Sequence, residues 1–187
     1  MDKTKLIVYA VVCSLLTGIA VYGLMMVVPG KPTLPASRPA REKNRHGKID
    51  VYLYFGLSAD TLLVAEKQVI NGAADPATFS KNIIDALIAG PVDKNLVRTM
   101  PEGTVCRAIY LTEDSTAYVD FSASIRDKLP GGSESELLAI YSIVNSLILN
   151  VDQVKKVKIL IEGNEVNTMA GHIDLRQPFS ANMRMIK

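Results

Sequence analysis

The feature that most constrains this chain is an uncharged, mainly apolar stretch near its N-terminus, from Leu6 to Val28. As a helix, these 23 residues would extend about 34 Å, slightly more than the roughly 30 Å hydrocarbon core of a bilayer. Two lysines, Lys3 and Lys5, precede the stretch, and Pro29-Gly30 ends it. A cleavable signal peptide would have a shorter apolar region and a small-residue exit. The sequence therefore predicts an uncleaved single-pass transmembrane anchor over residues 6–28, after a short tail over residues 1–5.

The two cysteines add few constraints. Cys13 lies within the apolar stretch behind Val12, where a lipoprotein would have a small residue, so lipid attachment there is not expected. Cys106 is the remaining cysteine, and we expect it to be a small buried residue rather than a reactive thiol. With His46 and His172 as the only histidines, a Cys/His zinc site lacks ligands. We predict neither a metal nor a cofactor.

Charge divides the chain into a basic N-terminal part and a mildly acidic remainder. Residues 1–48 contain eight Lys/Arg and two acidic residues, whereas residues 49–187 contain thirteen Lys/Arg and seventeen acidic residues. An acidic body argues against nucleic acid as a partner. Residues 29–48 are rich in proline and basic residues and lack apolar periodicity, which predicts an extended linker. Its cations could also contact anionic lipid headgroups or an acidic polymer.

Charge counting leaves the orientation of the anchor open. Lys3 and Lys5 favour a cytoplasmic N-terminus, and a short tail before a long apolar run is typical of a signal anchor. Six cations of the linker lie on the other side of the span, and by number alone they favour a cytoplasmic body. Both topologies are compatible with the residues.

The body, residues 49–178, contains alternating and helical apolar patterns. Strands are predicted over 49–55, 61–70, 104–111, 116–121, 157–161 and 166–168, with hairpin turns at Glu113-Asp114-Ser115 and Gly163-Asn164. Asp75-Pro76 predicts the start of a first helix, with Phe79, Ile83, Ala86 and Leu87 on its apolar face and Gly90-Pro91 at its end. Residues 179–187 are expected to be a C-terminal tail.

A second helix is predicted after Gly131-Gly132. Ser133 and Glu136 have the spacing of a capping box, in which the serine caps the helix and the glutamate bonds back to it. Leu137, Tyr141, Val144 and Ile148 would form its apolar stripe. The order of elements predicts an α+β fold with two helices on one face of a mainly antiparallel sheet.

Several turns resemble those of the GerMN domain, named after a bacterial protein of sporulation and spore germination. The resemblance lies in residues 87–91 (LIAGP), 100–104 (MPEGT), 129–133 (LPGGS) and 170–175 (AGHIDL), which follow one another in the expected order. It implies a compact α+β domain on the outer side of the cytoplasmic membrane, similar in fold to ring-building modules, with no established catalytic activity. Homo- or hetero-oligomerisation is compatible with it. This chain has room for one such domain, whereas the protein that names the family has two.

Two groups of residues are candidates for a functional site. Tyr52, Tyr54, Lys156 and Lys158 lie on predicted strands, and if they face outward together they would form an aromatic and cationic surface for a partner. His172 and Asp174 form the one close pair of histidine and carboxylate, which a metal or general-base site would need to supplement with further groups.

The sequence thus predicts a membrane-anchored, extracytoplasmic, non-enzymatic module that binds an envelope protein or a cell-wall polymer. The alternative is a cell-wall enzyme or solute-binding subunit that uses His172 and Asp174.

Overall fold

The computed structural model describes residues 47–58 and 60–187. The predicted anchor and almost all of the predicted linker lie outside these residues. Within them, no helix is both long enough and apolar enough to cross a bilayer.

Within the described residues, the strands form two separate sheets rather than the single sheet expected from the sequence. The first sheet has the order β2-β1-β3, and the second has the order β4-β5-β6-β7. The strands are β1 (Lys48–Leu57), β2 (Asp60–Asn71), β3 (Leu96–Val97), β4 (Cys106–Leu111), β5 (Thr116–Phe121), β6 (Lys156–Ile161) and β7 (Asn164–Glu165). The helices are α1 (Pro76–Ala89), α2 (Ser124–Asp127) and α3 (Ser133–Ile148), with a short 3-10 helix at Met183–Met185.

The first sheet is a long hairpin with a short third strand. β1 and β2 pair antiparallel from Lys48 opposite Asn71 to Leu57 opposite Asp60, and β3 pairs with the end of β1. The alternation predicted for β1 is confirmed for Val51, Leu53 and Phe55, which are buried, and for Asp50 and Tyr52, which are exposed, but Tyr54 is buried as well. These side chains form one wall of the core.

The second sheet combines an antiparallel hairpin with a parallel crossover. β4 and β5 pair antiparallel, as predicted, and β5 pairs parallel with β6 after the chain has passed through α3. Its inner face is apolar and buried, and its members are Ala117, Val119, Phe121, Val157, Ile159 and Ile161. The two long helices α1 and α3 contact each other, and each of them contacts both sheets.

Helix α1 follows the sequence prediction at both ends. The Asp75 carboxylate accepts a hydrogen bond from the Thr78 backbone N–H at 2.8 Å, and Pro76 is the first helical residue. Gly90 ends the helix with φ of 95°. A side chain at this position would be strained at this φ and would displace the Arg98 guanidinium, because an added Cβ would lie 2.8 Å from Cζ of Arg98. The Arg98 guanidinium caps the helix by donating to the carbonyl oxygens of residues 88 and 89.

Helix α3 differs from the prediction, because the capping box does not form. Gly132 occupies the N-cap position with φ of 115°, and no side chain caps the helix. Glu136 is instead fully buried and points toward the C-terminal loop. The predicted stripe is correct for Val144, whereas the other predicted members are half-buried. The buried apolar residues of α3 are Ala139, Ile140, Ile143, Val144 and Leu147. The helix contacts β1, β2, β6 and α1, so it is buried on several sides and no single stripe describes it.

The C-terminal part is also more irregular than predicted. The turn after β6 is formed by Glu162 and Gly163, with φ of 54° and 76°, rather than by Gly163-Asn164. Residues 166–168 do not form the predicted strand, since β7 ends at Glu165. The segment predicted as a tail is bonded to the domain: Phe179 bridges to Val157, and the Lys187 N–H donates to the Leu63 carbonyl.

Candidate functional site

The four residues of the predicted partner surface are divided between the two sheets. Tyr52 and Tyr54 lie on β1, and Lys156 and Lys158 lie on β6. Tyr52 is 51% exposed and Lys156 is exposed, but Tyr54 is 7% and Lys158 only 2% exposed. The expectation that all four face outward together is therefore wrong for Tyr54 and Lys158.

The backbone of β1 at these tyrosines is bonded to helix α3 and to Asn150, which follows the end of the helix. The Asn150 amide both accepts from the Tyr52 N–H at 3.0 Å and donates to the Tyr52 carbonyl at 2.7 Å. The Tyr54 N–H donates to Ser146 Oγ at 3.1 Å, and Ser142 Oγ donates to the Tyr54 carbonyl at 2.6 Å. We call these three side chains, Ser142, Ser146 and Asn150, the polar ladder.

The polar ladder explains why β1 pairs with no further strand at Tyr52 and Tyr54, although β3 pairs with it farther along, at Gly56 and Leu57. It satisfies the β1 edge groups at Tyr52 and Tyr54, so a strand of the second sheet cannot pair there. Burial raises the pKa of the Tyr54 hydroxyl, with a smaller contribution from Tyr52. The signal for the ladder was present in the sequence as polar residues spaced by four: Ser142 and Ser146 lie on one helix face, and Asn150 follows just after the helix ends.

The Lys158 side chain binds the C-terminal loop and is not exposed to solvent. Its ammonium donates to the Leu175 carbonyl at 3.1 Å and to the Arg176 carbonyl at 2.6 Å. It also forms an ion pair with Glu165 at 3.0 Å. The buried charge is thus compensated within the fold, and its role is structural.

Two other tyrosines share a sheet with the lysines. Tyr110 on β4 is opposite Tyr118 on β5, and Tyr118 is opposite Lys158 on β6. Tyr110 is 60% exposed, and Tyr118 is half-buried. We call the face that carries Tyr110, Tyr118 and Lys156 the tyrosine face. The sequence had placed all of these residues on strands, but strand order was needed to group them.

An ion-pair cluster borders the tyrosine face. Arg107 lies 2.8 Å from Glu162 and 3.6 Å from Asp120. The other oxygen of Asp120 accepts from the Gly163 N–H at 2.7 Å, and Glu162 accepts from the Ala123 N–H at 2.8 Å. These bonds hold the turn after β6 in its left-handed conformation.

His172 and Asp174 do not act on each other in the described contacts. His172 Nδ1 lies 3.2 Å from Oε2 of Glu136, and Asp174 is paired with Arg176 at 2.8 Å. The Arg176 side chain, together with the Arg176 backbone N–H, lowers the pKa of Asp174 to about 2. The sequence did not indicate Glu136 as a site residue, because its spacing from Ser133 is explained equally well by a capping box.

Glu136 is the centre of this loop. Its carboxylate accepts from the backbone N–H groups of Met169, Ala170 and His172 at 2.8 to 2.9 Å. Burial raises the pKa of Glu136, but the loop N–H groups outweigh this effect and hold the pKa below its usual value. We call Glu136 and Lys158 the charged pins, since both bind loop backbone.

Neither the loop nor Cys106 has the geometry of a nucleophilic site. The Glu136 oxygens are engaged by backbone donors, so the carboxylate is unavailable as a general base. Cys106 is buried as predicted, and burial raises its pKa to about 12. Within the described residues, no group of three or more His, Cys, Asp or Glu side chains could hold a metal ion.

An open cleft of about 470 Å³ lies between two of the turns that carried the family resemblance. Its lining residues are Arg98, Thr99, Met100, Pro101, Glu102, Lys128 and Pro130. Arg98 is committed to the end of α1, and Glu102 lies 3.9 Å from it. The cleft therefore combines charges of both signs and has no evident ligand preference.

Taken together, two sheets, two long helices and a loop pinned by buried charges define an α+β module whose polar groups serve mainly to organise backbone. The profile of the Germane family, described as sporulation and spore germination, matches residues 52–167. The chain belongs to this family. No curated protein sequence matches the chain significantly.

Solved structures share the fold. A Clostridium perfringens protein with a provisional lipoprotein assignment is 24% identical, with a TM-score of 0.52, over 72% of this chain and 88% of that one. The tandem GerMN domains of the sporulation protein GerM from Bacillus subtilis are 20% identical, with a TM-score of 0.58, over 72% of this chain and 46% of that one. The first GerMN domain of GerM alone is 18% identical, with a TM-score of 0.55, over 73% of this chain and 98% of that one. The α+β fold implied by the GerMN resemblance is thus confirmed.

Proposed function

We propose that this chain is a non-catalytic docking module of the bacterial cell envelope that serves sporulation or spore germination. Residues 6–28 anchor it in the cytoplasmic membrane, the proline-rich linker sets its distance from the bilayer, and the folded domain lies outside the cytoplasm. Its partner is an envelope protein or a cell-wall polymer.

The observation that carries this proposal is the tyrosine face. Tyrosine is enriched at recognition surfaces because it offers a rigid apolar ring and a polar hydroxyl at low entropic cost. Tyr110 is 60% exposed on a sheet whose opposite face is fully packed, so it contributes little to the core. Lys156 adds an exposed cation on the same sheet.

The other polar groups support docking over catalysis. The residues that the alternative function would use, His172 and Asp174, are bonded to Glu136 and Arg176 respectively. The charged pins bind backbone carbonyls and N–H groups, which is how a protein stabilises a loop.

The proposed location rests on the sequence and on the relatives. The apolar stretch has the length of a bilayer span, the family is described by sporulation and germination, and one structural relative has a lipoprotein assignment. A C-terminal reporter enzyme that is active only outside the cytoplasm tests this. We expect this reporter to be active. If it is inactive, while a second reporter that works only in the cytoplasm is active at the same position, the proposed location is contradicted.

A photo-crosslinking amino acid at Tyr110 tests the docking role in living cells. We expect an adduct with an envelope component that is absent when the same amino acid replaces Val92, an exposed valine on the loop after α1. Equal labelling from both positions would contradict a specific role for the tyrosine face. Loss of a measurable activity in His172→Ala or Asp174→Ala, with the fold intact, would favour the enzymatic alternative.

A further inference from the structure

Strand β2 has a free edge. It is 12 residues long and pairs with β1 along one side only. An unpaired strand edge presents backbone N–H and C=O groups that another strand can bind. Its use depends on which residues point outward and on what already covers them.

The hydrogen bonds of the polar ladder determine which β2 residues direct their backbone N–H and C=O groups toward the free edge. Opposing residues in an antiparallel pair alternate between those that bond to each other and those that bond away from each other. Tyr52 and Tyr54 bond away from β2, toward α3. Their partners Lys67 and Ala65 must therefore direct their backbone groups to the free edge, and by alternation so does Val69.

Both ends of this edge are already occupied. The C-terminal residue Lys187 donates its N–H to the Leu63 carbonyl at 2.9 Å, and Ile186 forms a parallel bridge with Leu63. The Asn82 side chain donates to the Asn71 carbonyl at 2.9 Å. Backbone pairing at this edge therefore already occurs at Leu63, and the uncovered part of the edge is Ala65–Val69.

The side chains along the uncovered part favour pairing. An edge lysine usually prevents strand addition, but the Lys67 ammonium is held 2.8 Å from Asp50 on β1, over its own sheet. Val69 is 58% exposed on the same face. The inner side is fixed, since Glu66 accepts from the N–H groups of Val92 and Asp93.

We propose that this edge pairs antiparallel with the same edge of a second copy of the chain, about a two-fold axis at Gln68. In this register Lys67 faces Val69 of the second copy. An axis at Lys67 would place two lysines opposite each other, and an axis nearer Leu63 would meet the C-terminal residues. Because each copy brings its own Lys67–Asp50 pair, Lys67 enters the joined edge with its charge already compensated. This inference goes beyond the proposed docking role, which one copy could perform.

Cysteine crosslinking in the full chain tests the register. The background carries Cys13→Ser, so that buried Cys106 is the remaining native thiol. In the proposed pairing, the two Gln68 Cα atoms lie about 4.5 Å apart, within disulfide range, whereas the two Lys67 Cα atoms are about 9 Å apart. Under mild oxidation in membranes, Gln68→Cys should give at least tenfold more dimer than Lys67→Cys. Val105→Cys, at an exposed residue just before β4, measures random collision.

Two substitutions of opposite charge at Val69 provide a second readout. In the Gln68→Cys background, Val69→Lys places a lysine opposite Lys67 of the second copy and should cut the dimer yield severalfold. Val69→Glu should keep or raise it. The monomer has the opposite preference because Val69 is directly opposite Asp50, so a change in folding alone would reverse the order.

The proposal is overturned if Gln68→Cys stays monomeric, or if Lys67→Cys or Val105→Cys crosslinks equally well. It is also overturned if Gln68→Cys links only to a different protein, since another partner would then occupy the edge. A dimer yield that is the same for Val69→Lys and Val69→Glu, both folded, would likewise overturn it.

Discussion

The N-terminal hairpin and the C-terminal loop are both attached to helix α3, but by different chemistry. The hairpin is held by the neutral polar ladder, and the loop is held by the carboxylate of Glu136 together with Lys158 on β6. Neutral hydrogen bonds contribute modestly and independently of pH, whereas a buried charge is costly unless every partner is present. The loop attachment should therefore contribute more to stability than the hairpin attachment. It should also lose more stability when a single partner is removed.

Removing the Glu136 carboxylate should have the largest effect. Glu136→Ala leaves three backbone N–H groups of the loop without acceptors and opens a space in a fully buried position. We expect a loss of about 3 to 4 kcal/mol in the free energy of unfolding. Urea denaturation of the variant and the parent chain measures it. A loss below about 1 kcal/mol would show that the loop contributes little to stability.

The charge of Glu136 should also make stability depend on pH. Its pKa is lower in the folded state, so its contribution is present near neutral pH and is lost as the pH falls below the usual glutamate pKa toward the folded one. Glu136→Gln cannot titrate and should therefore lose less stability than the parent chain between about pH 5 and 3. Thermal melts across this range provide the comparison. Parallel curves for the two proteins would contradict the assignment.

Substitution of Lys158 should reduce stability less than substitution of Glu136, because the Lys158 ammonium also pairs with Glu165, whose side chain is partly exposed. Lys158→Met keeps the length of the side chain but leaves the carbonyls of Leu175 and Arg176 without their donor. We expect a loss of about 2 kcal/mol. Hydrogen exchange should show faster opening of residues 172–176 than of β1, and uniform acceleration would mean that the pin acts on the whole domain.

The polar ladder should yield smaller and separable losses. Ser146→Ala removes the acceptor of one backbone N–H and should cost about 1 kcal/mol, measured by urea denaturation. Thr61→Ala, on the exposed face of β2, is a control that removes a side-chain hydroxyl outside the ladder. Equal effects of the two substitutions would argue against the ladder.

The same contrast explains what could be predicted from the sequence. Local patterns gave β1, β2, the β4–β5 hairpin and helix α1 with its Asp75 cap, because each depends on neighbouring residues. The roles of Glu136 and Lys158 could not be predicted, because they depend on residues 17 to 36 positions apart. The division into two sheets could not be predicted either, because the ladder bonds join residues 88 to 98 positions apart. Glu136 also fits a capping box by spacing alone. Its burial decided against that interpretation.

The smallest effect should come from the histidine that the sequence had selected. Glu136 bonds to the backbone N–H of His172 as well as to its ring, and the side chain is 45% exposed. His172→Ala removes the ring contact but keeps the backbone bond, so we expect a change of at most about 0.5 kcal/mol in urea denaturation. The comparison with Glu136→Ala separates the ring from the main chain at the same pin. A loss near that of Glu136→Ala would mean that the ring, not the loop backbone, is the main partner of the carboxylate.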